Sequence, residues 1–206
     1  MEEKELRSFE FEVRAEENEE HGTMLTGRPI VYNATTDLGY FFERIDIGAL
    51  DQADLRDVKF LVNHNIDMIP LARSRRNNEN STMQMTVGSA GMDIRVDLDV
   101  ENNADARALY SSVKRGDISG MSFMFTVDRA EWLDLDTDKP TRVIKSIRRV
   151  FEVSAVTFPA YEQTTIAARS AEAALERAKS ALESARKAAA VARAKSLYKE
   201  LGNESE

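Results

Sequence analysis

The chain has 206 residues, 42% of them hydrophobic, which is enough for one generous domain or one domain with an appendage. With no cysteine, it lacks the residues for disulfides, a thiolate nucleophile or a Cys-type zinc site, and its two histidines argue against a His-rich metal cluster. A net charge of −8 argues against a general nucleic-acid binder. No run of about 18 apolar residues and no basic, apolar leader occurs, so we expect a soluble, non-exported protein without a membrane partner.

The charge is distributed unevenly along the chain. Residues 1–20 carry nine acidic and three basic side chains, whereas residues 168–201 carry eight basic and four acidic ones. Together with the composition, this predicts three parts. They are an acidic N-terminal segment with the first strand (1–21), a β-rich domain (22–166) and a helical tail (167–206).

The first 160 residues are mostly typical of strands. SFEFEVRA places Phe9, Phe11 and Val13 on one face, and Pro29 in MLTGRPIVYN indicates an edge strand or a bulge. VKFLVN is a short apolar run that ends at His64. STMQMTV and MDIRVDLDV alternate apolar and polar residues around the turn GSAG, which predicts a hairpin.

One short helix is predicted in NNADARALYSSVKRGD. Asn103 suits the N-cap and Gly116 the C-terminal stop. The apolar stripe of this helix comprises Ala106, Leu109, Tyr110 and Val113. Strands are expected to resume in ISGMSFMFTVDRAEW, RVIKSIRRV and FEVSAVTF, the last of them ending at Pro159.

A single long helix is predicted from about Ala167, because the segment is rich in Ala, Glu, Arg and Lys and has no Gly or Pro before Gly202. Its 3–4 spaced stripe consists mostly of alanine, which buries little area at each position. The stripe comprises Leu175, Ala178, Leu182, Ala185, Ala189 and Ala192. We expect this helix to pack weakly, or on a partner, outside the β-rich domain.

The two histidines have different settings. His21 lies in the polar stretch EENEEHGT, where a solvated loop histidine is expected. His64 ends an apolar strand in LVNHN, so its imidazole is either a strand-end side chain with satisfied hydrogen bonds or a general base.

GMSFMF contains the serine that such a base could activate. Strand alternation puts Phe123 and Phe125 on one face and Ser122 on the other, where its hydroxyl can reach a rim. A structural strand serine is the alternative, and Ser119 and Ser154 compete as nucleophiles.

A third group should orient the imidazole and stabilise its cation. Glu152 interrupts the apolar strand FEVSAVT, where a carboxylate is costly unless it is exposed or paired. It either serves that role, faces water, or pairs with Arg148 or Arg149. The elbow GxSxG, the zinc motif HExxH and the P-loop are absent, which removes common rival chemistries, and no cofactor is predicted.

Five stretches of the sequence, taken in order, resemble the prohead maturation proteases of tailed bacteriophages, over about residues 24–166. They are GRPIVYN, FFERIDIGAL, NHN with PLAR, GMSFMF and EVSAVTFPAYEQT. The resemblance implies a herpesvirus-assembly-protease-like α+β fold, a mixed, mostly antiparallel β-barrel with flanking helices. It implies Ser122 as nucleophile and His64 as base. Glu152 matches the position where herpesvirus-type enzymes have a second histidine, and a carboxylate can do the same work.

We therefore predict a serine endopeptidase that processes capsid or scaffold proteins, and itself, during procapsid maturation. Its expected substrate is the major capsid protein or its scaffold segment, with self-association possible, inside the procapsid in the host cytoplasm. The alternatives are a non-enzymatic capsid-assembly or scaffold protein that keeps the protease fold, and a nucleic-acid-binding module that uses the basic helix. No specific nucleic acid is expected as partner under the first reading.

Overall fold

The fold was analysed in a computed structural model that describes residues 4–9, 13–18, 22–157 and 165–203. Within those ranges the chain forms eleven strands and two helices. In chain order they are β1 (Glu5–Phe9), β2 (Arg14–Asn18), β3 (Gly22–Val31), β4 (Thr36–Asp37), β5 (Phe42–Ile45), β6 (Asp57–Val62), β7 (Ala72–Arg75), β8 (Met83–Gly88), β9 (Gly91–Asp97), α1 (Ala104–Arg115), β10 (Gly120–Leu133), β11 (Thr141–Val156) and α2 (Thr165–Asn203).

The strands form two sheets. The larger sheet has seven strands, with the order β1-β10-β11-β5-β4 and with β6 and β7 joined to it through β11. The smaller sheet has the order β2-β3-β9-β8. Most pairs are antiparallel, but β11 runs parallel to both β5 and β6. The architecture is therefore α+β with mixed sheets, as predicted.

The predicted closed barrel is not found among the described residues. Closure would require the outermost strands to pair with one another, which removes the edges of a sheet. Here the larger sheet ends at β1, β4 and β7, and the smaller sheet ends at β2 and β8. The apolar sides of the two open sheets are buried in one shared cluster, which includes Leu25 and Met92 from the smaller sheet and Phe60 and Phe123 from the larger.

Several local predictions are confirmed. The hairpin is β8 paired with β9, and a register shift between Gly27 and Ile30 gives the bulge expected around Pro29. Asn103 caps α1 by accepting from the backbone N–H groups of Asp105 and Ala106, and Gly116 ends the helix in the left-handed conformation.

One prediction about the strands is wrong, and two residues named in the predictions lie outside the described part of the chain. The segments RVIKSIRRV and FEVSAVTF were expected as separate strands, but they form one strand, β11, because β10 pairs along its whole length through several register shifts. Phe11 and His21 lie outside the described residues.

The C-terminal helix α2 contacts the sheet through its first turns. Ala174 and Leu175 are buried, and Leu175 packs with Leu38 and Phe41. The alanine-rich remainder up to Lys195 is mostly exposed, as its weak stripe predicts. Neither helix within the described ranges has the length and apolar character needed to span a membrane.

Candidate active site

The centre of the larger sheet brings two serines face to face. β10 and β11 pair antiparallel with Ser122 directly opposite Ser154, and Met124 opposite Glu152. Residues two apart in a strand share a face, so Glu152 and Ser154 point to the same side of β11 as each other. This register places a hydroxyl, a second hydroxyl and a carboxyl within one small patch of the sheet.

His64 reaches this patch from the turn that follows β6. Because β6 lies parallel to β11, with Val62 opposite Ala155, the chain leaves β6 beside the patch. Asn63 and His64 both have left-handed backbone angles, with φ of 50° and 56°. Such angles are strained in residues other than glycine and need surrounding contacts to hold them.

Those contacts are present on both sides of the turn. The Asn63 side chain donates to the Thr157 hydroxyl at 3.1 Å and accepts from the Thr157 N–H at 3.0 Å. The backbone N–H of His64 donates to the Ser154 hydroxyl at 3.1 Å. The turn is therefore tied to the end of β11, which fixes the position of the imidazole.

The predicted residues Ser122, His64 and Glu152 form one continuous chain of hydrogen-bonding distances. His64 Nε2 lies 2.6 Å from Ser122 Oγ, and His64 Nδ1 lies 2.6 Å from Glu152 Oε1. When Nδ1 carries a proton and donates it to the carboxylate, Nε2 is left free to accept the serine proton. A nucleophile, a general base and an acid that orients the base would need these same links.

Glu152 is almost fully buried, with 2% of its surface exposed. Its second oxygen, Oε2, accepts a 2.6 Å hydrogen bond from the Ser154 hydroxyl, so both oxygens have partners. The alternative partners considered from the sequence lie elsewhere: Arg148 pairs with Asp128, and Arg149 is 3.9 Å from Asp54. The buried carboxylate is thus directed at the imidazole.

The first strand covers Ser122. β1 pairs antiparallel with β10, with Ser8 opposite Ser122, and the Ser122 hydroxyl donates to the carbonyl oxygen of Arg7 at 2.7 Å. Ser122 has no exposed surface in this state. The serine was expected at a rim, and the strand placed over it is the reason that it is buried.

Four charged side chains, two of them from β1, are buried together. Arg7 bonds to Glu43 and Glu5, and Arg142 bonds to the same two carboxylates. Burial alone would raise the pKa of Glu5, but the hydrogen bond from Arg142 and the charges of Arg7 and Arg142 outweigh it and lower that pKa. Burial opposes the charge of Arg7 as well, and Glu43 and Glu5 nevertheless raise its pKa.

A family model described as caudovirus prohead serine protease matches residues 9–178, which is most of the chain. The chain belongs to this family. The match includes Ser122, His64 and Glu152, so the residues brought together by the fold lie inside the region that defines the prohead proteases.

Two further comparisons were made. The solved structure of the bacteriophage T4 capsid assembly protease, gp21, is 12% identical to this prohead protease, covers 74% of this chain and 98% of its own, and has a TM-score of 0.38. No curated protein gives a significant match.

The contacts made by Ser154 were not predicted from the sequence. This serine was considered only as a rival nucleophile, yet its hydroxyl joins Glu152 to the backbone of His64. The i, i+2 spacing of Glu152 and Ser154 was the available signal. Ser119, the other rival, is exposed in the stretch before β10, where its backbone carbonyl accepts a hydrogen bond from the Val13 N–H.

Within the part of the chain that the structure describes, no three His, Cys, Asp or Glu side chains are grouped as metal ligands would be.

Proposed function

We propose that this chain is a serine endopeptidase in which Ser122 is the nucleophile, His64 the general base and acid, and Glu152 the residue that orients His64. The observation that carries the proposal is the unbroken chain from Ser122 Oγ through His64 to Glu152, with both links at 2.6 Å. Membership of the prohead serine protease family supplies the reaction class.

The reaction follows from the roles of these atoms. Ser122 Oγ attacks the carbonyl carbon of the scissile peptide while His64 Nε2 takes the hydroxyl proton. As the carbon–nitrogen bond breaks, the imidazolium returns that proton to the leaving amine, and an ester on Ser122 remains. Water, deprotonated by His64, then cleaves the ester and regenerates the serine. Glu152 faces the imidazolium during both steps and lowers the cost of its charge.

The proposed substrates are the major capsid protein or its scaffold segment, together with the chain itself, inside the assembling procapsid in the host cytoplasm. In this proposal residues 22–166 contain the catalytic machinery, residues 1–21 form an acidic segment, and residues 167–206 form a tail. The exposed, basic part of α2 supports a docking role for the tail on other procapsid proteins.

The test compares wild type with Ser122→Ala. A serine-directed phosphonate should label Ser122 in wild type and nothing in the variant, and a co-expressed capsid precursor should be processed only by wild type. Normal processing by Ser122→Ala would show that the chain is a non-enzymatic assembly protein. For the nucleic-acid alternative, DNA binding should be steeply salt-dependent and should vanish when residues 168–206 are removed.

A further inference from the structure

The strand β1 occupies the place where a substrate backbone would be expected. It is an edge strand that pairs with β10, the strand that carries Ser122. Without it, β10 would present an unpaired edge next to the nucleophile, and extended peptides bind such edges by adding a strand. The Arg7 carbonyl oxygen accepts the hydrogen bond from the Ser122 hydroxyl at 2.7 Å, so the peptide bond between Arg7 and Ser8 lies next to the serine.

The side chains of β1 fill a charged recess in the same way that substrate side chains would. Glu5 and Arg7 are two residues apart, so both point to one face, and both are buried there. Arg7 bonds to Glu43 through two nitrogens, and Arg142 bonds to Glu5 at 2.7 and 3.0 Å. Each charge of the strand is therefore matched by an opposite charge of the larger sheet.

The recess also contains an ion pair of its own. Arg142 Nη1 donates to Glu43 Oε2 at 3.1 Å, so these two residues neutralise one another. A buried pair that keeps its own bond can release one strand and accept another without leaving an isolated charge. Exchange of β1 for a substrate strand is thus compatible with the electrostatics of the site.

The sequence of β1 is repeated seven residues later. Glu5-Leu6-Arg7-Ser8 is followed by Glu12-Val13-Arg14-Ala15, which has the same order of acid, aliphatic, arginine and small residue. Glu-x-Arg occurs at no other position in the sequence. The recess therefore matches a pattern that occurs twice within residues 5–15.

We propose that β1 is a resident substrate-like strand, and that Glu43 and Arg142 select peptides with the pattern Glu-x-Arg, cleaved after the arginine. This inference rests on the proposed function, because it assigns the substrate preference of the same site. Glu43 recognises the arginine whose carbonyl faces Ser122, and Arg142 recognises the glutamate two positions before it.

The resident strand also explains why this state is a resting one. A hydroxyl has one proton, and a Ser122 hydroxyl that donates to the Arg7 carbonyl does not donate to His64 Nε2. That proton then points away from the base, and the buried serine is closed to other peptides while β1 is in place. Release of β1 returns the proton to the path towards His64.

The first experiment weakens the resident strand in the full-length protein. Arg7→Ala removes its buried guanidinium and should let a serine-directed phosphonate label Ser122 at least about tenfold faster than in wild type. Glu131→Gln is the matched control, since Glu131 is exposed and outside the site, and it should label at the wild-type rate. Equal labelling of wild type and Arg7→Ala would overturn the idea that β1 guards the nucleophile.

The second experiment measures preference in the Arg7→Ala protein. A quenched fluorescent peptide containing Glu-Leu-Arg-Ser should be cut at least about tenfold faster than its Glu-Leu-Gln-Ser or Gln-Leu-Arg-Ser counterparts. Adding Glu43→Gln should abolish the preference for arginine, and adding Arg142→Gln should abolish the preference for glutamate. Circular dichroism checks that each double variant is folded. If neither double variant folds, the cleavage rates of the three peptides by Arg7→Ala alone decide whether the preference for Glu-x-Arg exists.

The outcomes separate the two proposals. A protein that is labelled and cuts all three peptides equally retains the proposed activity and overturns the Glu-x-Arg assignment. A preference that survives both Glu43→Gln and Arg142→Gln overturns the assignment of those residues. If the folded Arg7→Ala protein is not labelled by the phosphonate and cleaves none of the peptides, the serine-protease proposal is overturned and this inference with it.

Discussion

Ser154 links Glu152, two residues before it, to His64, which lies 90 residues before it in the sequence. Its hydroxyl donates to Glu152 and accepts from the backbone of His64, so a single small side chain holds the acid and the turn together. Partners of this kind keep ligands and catalytic groups oriented, and their loss usually weakens function more than stability.

Glu152→Gln tests the orienting role at constant shape. The amide presents no charge to the imidazolium and offers an N–H where a lone pair is needed, so the ring loses its preferred tautomer. We expect the rate of peptide cleavage to fall about 10²- to 10⁴-fold while the protein stays folded. Cleavage kinetics and thermal unfolding measure the two effects.

Glu79→Gln is the control for this substitution, because Glu79 is exposed in the turn before β8. It should change neither quantity. A Glu152→Gln protein with wild-type cleavage kinetics would mean that the carboxylate is structural and that another group, or none, supports His64.

The three residues that the fold brings together could be selected from the sequence, whereas the contacts that hold them could not. Ser122 and His64 came from short motifs in a recognisable order, and Glu152 came from a carboxyl in an apolar strand. Nothing in the sequence indicates that Asn63 and His64 adopt left-handed angles, because that conformation is imposed by bonds to Thr157 and Ser154, about 90 residues further along the chain. Tertiary bonds of that range have no local signature.

At the scale of elements, the β8–β9 hairpin depends on one glycine. Gly91 has φ of +141°, and a Cβ added there would lie 1.9 Å from the carbonyl oxygen of Ile30 on the neighbouring strand. Gly91 also pairs with Val31 in β3, so the backbone cannot move away without breaking the ladder. A side chain at this position is therefore opposed by both conformation and space.

We expect Gly91→Ala to lower the free energy of unfolding by about 2–4 kcal/mol. Gly88→Ala, three residues earlier in the same hairpin, is the matched control, because nothing lies within 4 Å of its added Cβ and its φ is not positive. Chemical denaturation of both variants gives the comparison. Equal stabilities of the two variants would show that the hairpin absorbs the clash by shifting against β3.

Elements with strong local signals were found where the sequence predicted them. α1 has a capping asparagine, a terminal glycine and an apolar stripe, and all three appear in the structure. The joining of two predicted strands into β11 was not foreseen, since continuity depends on β10, whose register shifts let both strands bend together. Pairing between distant segments, and not local propensity, determines the length of such strands.

At the scale of the whole molecule, a barrel differs from two open sheets in whether the outermost strands pair with one another. Alternation predicted strands with one buried face, and the shared core of the two sheets satisfies that pattern as well as a closed barrel would. The family resemblance suggested closure, but the sequence has no signal that specifies pairing between the outermost strands. The fold class was therefore predictable and the closure was not.

The stability of the whole molecule should depend on pH through an ion pair that joins β6 to β7. Asp57 accepts two hydrogen bonds from Arg73, at 2.6 and 2.9 Å, and lies near Lys59. The hydrogen bonds from Arg73, opposed by partial burial and assisted by the charge of Lys59, lower the pKa of Asp57 from 3.8 to about 2. Since the pKa is lower in the folded state, the contribution to stability is present in full above pH 3.8.

This contribution should disappear as the pH falls from 3.8 to about 2, because the carboxyl then becomes protonated in the folded protein as well. At neutral pH, Asp57→Asn should cost less than about 1 kcal/mol, since both partners are about one-third exposed and screened by water. Urea unfolding of wild type and variant at pH 7 and at progressively lower pH should show their difference shrinking below pH 3.8. Asp138→Asn, at an exposed position, should show no such trend. A difference that stays constant with pH would mean that the substitution acts through packing of the β6–β7 pair and not through the charge of Asp57.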